Sequence, residues 1–155
     1  MKRLAAPELT FLCNMELTVE NAHLPGKTPI GNRRIIRVTG GQLQGDKLNA
    51  VVVPGGDDWI TVQEDGTIIQ DVRILLQTEE KELILMTYRG IRTGPIEVLK
   101  RLDNGEQVDP KEYYFRTMPI FETASKKYNW LNRKMFVSNG IRLPDGVQYS
   151  IYIVE

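Results

Sequence analysis

Apolar side chains recur at every second position through much of this chain. From Leu9 to Val19, the odd positions Leu9, Phe11, Cys13, Met15, Leu17 and Val19 are apolar, and Thr10, Asn14, Glu16 and Thr18 between them are polar. A period of two puts one set on each face of an extended chain and predicts a half-buried strand. "RRIIRVT" predicts a second strand and "KLNAVVV" a third, with "GGQLQGD" breaking the run between them. The Pro- and Gly-rich "NAHLPGKTPIGN" predicts a long loop.

The clearest unit is "WITVQEDGTIIQDVRILLQT", where Asp65-Gly66 separates two β-branched runs. That pattern is a strong short-range signal for a β-hairpin. On its second arm Ile69, Asp71, Arg73 and Leu75 share one face, while Ile68, Val72, Ile74 and Leu76 share the other. "KELILMTYRG" and "KEYYFRTMPIF" predict further strands, and "KMFVSNGIRL" with "GVQYSIYIVE" predict a closing hairpin about "PDG". "PIEVLKRLDNGE" fits a short helix ending at Asn104-Gly105, and "SKKYNWLNRK" one or two helical turns.

About eight to ten short strands with turn signals between them, and no βαβ rhythm, predict an all-β fold: a single antiparallel β-barrel or a sandwich spanning residues 1–155. A barrel has the advantage that closure leaves no exposed edge.

Composition narrows the function classes. Lys plus Arg and Asp plus Glu are 20 each, so the formal net charge is zero. That argues against nucleic acid or an anionic membrane as partner, since both call for a basic surplus. No apolar run is long enough to span a membrane and no signal peptide is evident, so we expect a cytoplasmic protein. One cysteine and one histidine fall short of the usual zinc ligand sets, and no metal or cofactor is expected. Phosphate-binding loops and nucleophile elbows are absent from the sequence.

Three clusters offer chemistry. "PGGDDW" follows the apolar run "AVVV", with Pro54 suited to a strand end and Gly55-Gly56 to a sharp reversal. If the chain stays extended, Asp57 and Asp58 point to opposite faces. One of them would then stand beside an aromatic wall as a general acid or base; the alternative is an Asx-type turn. Asp71 and Arg73 form a second cluster. On the residues alone they belong outside, because the face of Ile68, Val72, Ile74 and Leu76 is the more uniformly apolar. The third is "YYFRTMPIFETASKKYNWLN", where Arg116, Glu122, Tyr128 and Trp130 suit either a pocket wall or a core with a polar rim. "YRGIR", Tyr88 to Arg92, is a smaller set of the same type.

The ordered series "GGQLQGDKLNAVVVPGGDDW", "EDGTIIQDVRILLQT", "YRGIR" and "YYFRTMPIFETASKKYNWLN" resembles a bacterial and fungal family known as domain of unknown function 3237, over about residues 9 to 154. The resemblance implies a small antiparallel β-barrel, similar in outline to allene oxide cyclase and dirigent barrels. It also implies a shared pocket built from Asp58-Trp59, Asp71, Arg73, Arg116, Glu122-Thr123, Tyr128 and Trp130-Leu131-Asn132. Asp58 is preferred to Asp57, because many members of the family carry a small residue at the latter position.

These readings combine into one leading expectation: a small-molecule barrel enzyme doing cofactor-free proton-transfer chemistry, of isomerase, cyclase or hydro-lyase type, on a small organic acid, phenol or lactone. Asp58, Tyr128 and Arg73 would be catalytic. Trp59, Arg116, Trp130, Asp71 and Glu122 would bind substrate. The rival readings are a barrel that binds a small molecule without converting it, and a homo-oligomeric interaction module.

Overall fold

The computed structural model describes residues 1–155. Nine strands follow one another: β1 (Leu9–Val19), β2 (His23–Thr28), β3 (Gly31–Gln44), β4 (Ala50–Val62), β5 (Ile68–Gln77), β6 (Leu83–Thr93), β7 (Tyr114–Glu122), β8 (Met135–Leu143) and β9 (Gly146–Val154). All pair antiparallel in the order β1-β9-β8-β7-β6-β5-β4-β3-β2, and β1 also pairs with β3. That pairing closes eight strands into a barrel and leaves β2 as an extra strand on β3. An eight-stranded barrel has an interior just wide enough to be filled by side chains or to hold one small ligand.

Alternation builds the core as the pattern of the chain requires. In β7 every odd residue from Phe115 to Phe121 is buried and every even one from Tyr114 to Glu122 is exposed. In β5 the buried set is Ile68, Gln70, Val72, Ile74 and Leu76. Asp71 and Arg73 therefore lie on the outer face, as the bare hydrophobic pattern requires. The Asp65-Gly66 turn forms as expected, with the Asp65 carboxylate accepting from the Thr67 N–H at 2.9 Å.

Three local expectations are overturned. "NAHLPGKTPIGN" contains strand β2 rather than being all loop. β3 runs through Gly40-Gly41 instead of stopping there, because residues without Cβ allow β1 to cross close by; a Cβ on Gly41 would sit 2.0 Å from the Glu16 carbonyl. "PGGDDW" is not a strand-ending turn but a bulge inside β4. Against β5 the register jumps between Val53 and Asp57, and Gly55 takes up the irregularity at φ +116°. Bulges of this kind re-aim side chains while the strand continues.

The two ends of the barrel are closed differently. Helix α1 (Ile96–Asp103) joins β6 to β7 across one end and buries Val98, Leu99 and Leu102. At the other end the β7–β8 connection carries a 3₁₀ turn, Asn129–Arg133, with Leu131 buried. Asn132 fastens this connection: its Oδ1 accepts from the Thr123 N–H at 2.9 Å and its Nδ2 donates to the Thr123 carbonyl at 2.9 Å. Thr123 in turn donates to the Leu83 carbonyl at 2.7 Å. These bonds matter because β7 and β8 share only the pairs Arg116–Asn139 and Thr117–Ser138. Asn132→Ala should therefore lower the unfolding free energy by about 1–2 kcal/mol. In urea denaturation the midpoint should fall with the slope unchanged.

Candidate active site

The α1 end of the barrel holds a partly open cavity of about 220 Å³. Its walls are apolar in majority, including Leu17, Ile36, Ile60, Ile68, Phe115 and Leu102, and its polar side chains are mostly charged: Glu20, Arg34, Asp58, Arg92, Asp103 and Arg142. Asp58 enters it because the β4 bulge preserves the alternation: Ala50 and Val52 point inward before the bulge, and Asp58 and Ile60 after it. Asp57 is paired in register with Arg37 and Arg73 on the outside.

Asp58 is 8% exposed and takes one side-chain hydrogen bond, from Gln70 Nε2 to its Oδ2 at 2.9 Å. Gln70 Nε2 also lies 3.5 Å from the Tyr149 hydroxyl, and Tyr88 donates to that hydroxyl at 3.3 Å. Gln70 reaches across because its register partner on β6 is Gly90; a Cβ there would stand 2.6 Å from Gln70 Oε1. Three buried side-chain polar atoms of the chain have no hydrogen-bond partner: Asp58 Oδ1, Gln70 Oε1 and Arg92 Nε. All three belong to residues lining this one cavity. Unpartnered buried polar atoms are expensive, and these three leave donors and acceptors at one cavity free to bond to a bound molecule or water.

Burial dominates the electrostatics. It raises the Asp58 carboxyl from its ordinary 3.8 to about 6, against smaller opposing effects from the Gln70 hydrogen bond and the Arg92 charge. Burial likewise pushes the Tyr88 and Tyr149 hydroxyls upward and the Arg92 guanidinium downward. Asp58 is thereby poised to exchange a proton near neutral pH, while both tyrosines stay protonated. Nowhere do three or more His, Cys, Asp and Glu side chains gather as a metal-ligating group.

Of the eight residues expected to carry catalysis or binding, Asp58 alone lines this cavity, joined by Tyr88 and Arg92 of the smaller set "YRGIR". Trp59, its neighbour, faces outward at 48% exposed, by the same alternation that turns Asp58 in. Asp71 and Arg73 line a separate, more open concavity of about 740 Å³ on the outer face, beside Met118 and Met135. Arg116 and Glu122 occupy exposed outward positions of β7. Arg116 donates to the Phe115 carbonyl at 2.8 Å and lies over the Tyr114 ring at 5.0 Å. Tyr128 is buried and Trp130 half-buried, but both belong to the connection at the opposite end. The pocket expected from these residues is thus dispersed over the outer wall and the far end.

Sequence reasoning passed over Gln70, Arg142 and Tyr149 as site residues, and placed Arg92 only in the smaller set "YRGIR". A signal was present for two of them. Gln70 interrupts the apolar face of Ile68, Val72, Ile74 and Leu76, and Arg92 continues the inward face of Ile84, Met86 and Tyr88. A polar residue in phase with the core is the mark to look for.

A family model described as protein of unknown function (DUF3237) matches residues 7–154. The chain belongs to this family. A UPF0311 protein of Clostridium acetobutylicum is 37% identical over 143 residues, covering 92% of this chain and 90% of its own. The crystal structure of a conserved protein of unknown function from Rhodopseudomonas palustris matches with a TM-score of 0.93 at 31% identity, over 99% of this chain and 100% of that one. The hydroalkoxylation enzyme phnH of Penicillium herquei is 29% identical over 126 residues, covering 81% of this chain and 69% of its own.

In this DUF3237 barrel the raised Asp58 pKa has a defined consequence for stability. The folded state holds the Asp58 proton more tightly than the unfolded chain does. Its contribution is therefore most favourable below 3.8, declines as pH rises, and levels off above about 6. Two pKa units correspond to about 3 kcal/mol. Asp58→Asn should be more stable than wild type by up to about this amount at pH values near 8, and should match it near pH 4. Paired urea denaturation curves at the two pH values check this.

Proposed function

We propose that the protein is a small-molecule enzyme of proton-transfer type, with Asp58 acting in turn as acid and base inside the α1-end cavity. The observation that carries this reading is the buried Asp58 carboxyl, near pKa 6, facing a partly open cavity with Oδ1 unpartnered. The reaction class is addition of a hydroxyl across a carbon–carbon double bond, or its reverse. The hydroalkoxylation activity in the name of the fungal relative supports that class. A cavity of roughly 150 Å³ accepts a benzene ring, so about 220 Å³ suits one ring with a short substituent.

The step balances on the residues present. Protonated Asp58 gives its proton to one alkene carbon. The substrate hydroxyl oxygen forms a bond to the other carbon. The proton that hydroxyl loses returns to the Asp58 carboxylate. Gln70 orients Asp58 through its 2.9 Å hydrogen bond. The apolar wall of Ile60, Ile68 and Phe115 keeps bulk water from the developing cation.

The test is incubation with a panel of ortho-alkenyl phenols in D₂O, read by mass spectrometry. The expected product is an isomer of the substrate carrying one deuterium on carbon. Asp58→Asn should lower turnover by about 10²–10⁴-fold without loss of folding. Turnover at the wild-type rate in that variant would sink the proposal. Binding across the panel with no conversion would assign the cavity to ligand holding instead.

A further inference from the structure

The guanidinium groups at this end of the barrel are incompletely paired with carboxylates. Arg34, Arg92 and Arg142 all line the cavity. Asp103, on α1, is shared between two of them: its Oδ2 accepts from Arg34 at 3.2 Å and its Oδ1 from Arg92 at 3.3 Å. Arg142 has no carboxylate partner and donates only to the backbone carbonyls of Leu143 and Gly146. The remaining rim carboxylate, Glu20, is exposed and forms no ion pair. Arg92 is 8% exposed, and its Nε has no partner at all. Asp58 bonds to Gln70 and to none of the three guanidiniums, so whatever its protonation state Arg142 and the Arg92 Nε are left without a carboxylate partner. Buried cations are tolerated when an anion completes their coordination.

We propose that Arg92, with Arg142, is the seat for an anionic oxygen on a planar carbon of the substrate, either a carboxylate or a phenolate. The inference deepens the proton-transfer reading and rests on it only for the cavity being the substrate site. A guanidinium with a free Nε–H suits such an oxygen, since its donors lie in the plane of the acceptor. Arg92 and Asp58 stand on the walls of the same small cavity, so the seated oxygen and the proton donor act on one ring-sized molecule. An anion on Arg92 also takes over the counter-charge that an ionised Asp58 would otherwise supply. Substrate binding thereby favours the protonated Asp58 that the reaction needs.

The experiment is calorimetric titration with unreactive probes: benzoate against neutral benzamide, and 4-nitrophenolate against nitrobenzene, at about pH 8 so that both acids are ionised. Because the probes cannot react, the outcome is independent of whether Asp58 catalyses anything. Wild type should bind at least one anion about tenfold or more tightly than its neutral counterpart. Preference for benzoate assigns a carboxylate, and preference for nitrophenolate a phenolate. Arg92→Gln should abolish the preference while leaving neutral-ring binding in place. Arg142→Gln, at a less buried position, should reduce it and serves if Arg92→Gln fails to fold. Equal affinity for anion and neutral probe in wild type overturns the proposal. So does an undiminished preference in folded Arg92→Gln or Arg142→Gln, or no binding of either anion up to about 10 mM.

Discussion

Backbone pairing between β1 and β3 turns a nine-stranded sheet into a closed barrel, and the site exists only inside that closure. The contact is close: Leu17 is paired with Gly41, and Gly41 has room for no side chain. Once the sheet is closed, every strand position is either inside or outside, with no intermediate choice. Asp58, Gln70, Tyr88, Arg92 and Tyr149 then converge from four strands although no two are adjacent in sequence. The β4 bulge would destroy this if it added an odd number of residues on the β5 side. Pro54, Gly55 and Gly56 stand opposite Ile74 alone, which adds two and preserves the inward phase.

The interior is divided along its axis. Towards the far end, Ile74, Leu76, Ile84, Met86, Phe121 and Phe136 fill the barrel, and Phe121 meets Phe136 edge-on at 4.8 Å. Towards α1 the same alternation delivers polar groups instead, and the packing leaves a cavity. The far end secures the fold: Leu131 plugs it, and Asn132 ties the connection to Thr123. The α1 end spends stability on desolvated charge, which is how the Asp58 carboxyl acquires a pKa of about 6. This division explains why the polar residues expected to form one pocket, among them Arg73, Arg116 and Tyr128, lie on the outer wall and at the far end instead.

Much was fixed by the sequence alone. Alternation in β1, β5 and β7, the Asp65-Gly66 turn and the absence of a βαβ rhythm determined an all-β antiparallel fold, because side-chain periodicity and turn chemistry are local properties. Alternation also determined that Asp57 and Asp58 face opposite ways and that Asp71 and Arg73 lie outside. What the tertiary structure decided was everything that depends on closure. Whether "PGGDDW" ended a strand or bulged within it turned on the partners β3 and β5, since a strand's course there is set by its ladders and not by its own residues. Which polar residues share a cavity turned on the register of β4, β5, β6 and β9 around the barrel. In the linear chain Gln70 and Arg92 stand out only as polar residues in phase with the core. They become part of a site only when Gly90 and the closing strands bring them beside Asp58 and remove the water.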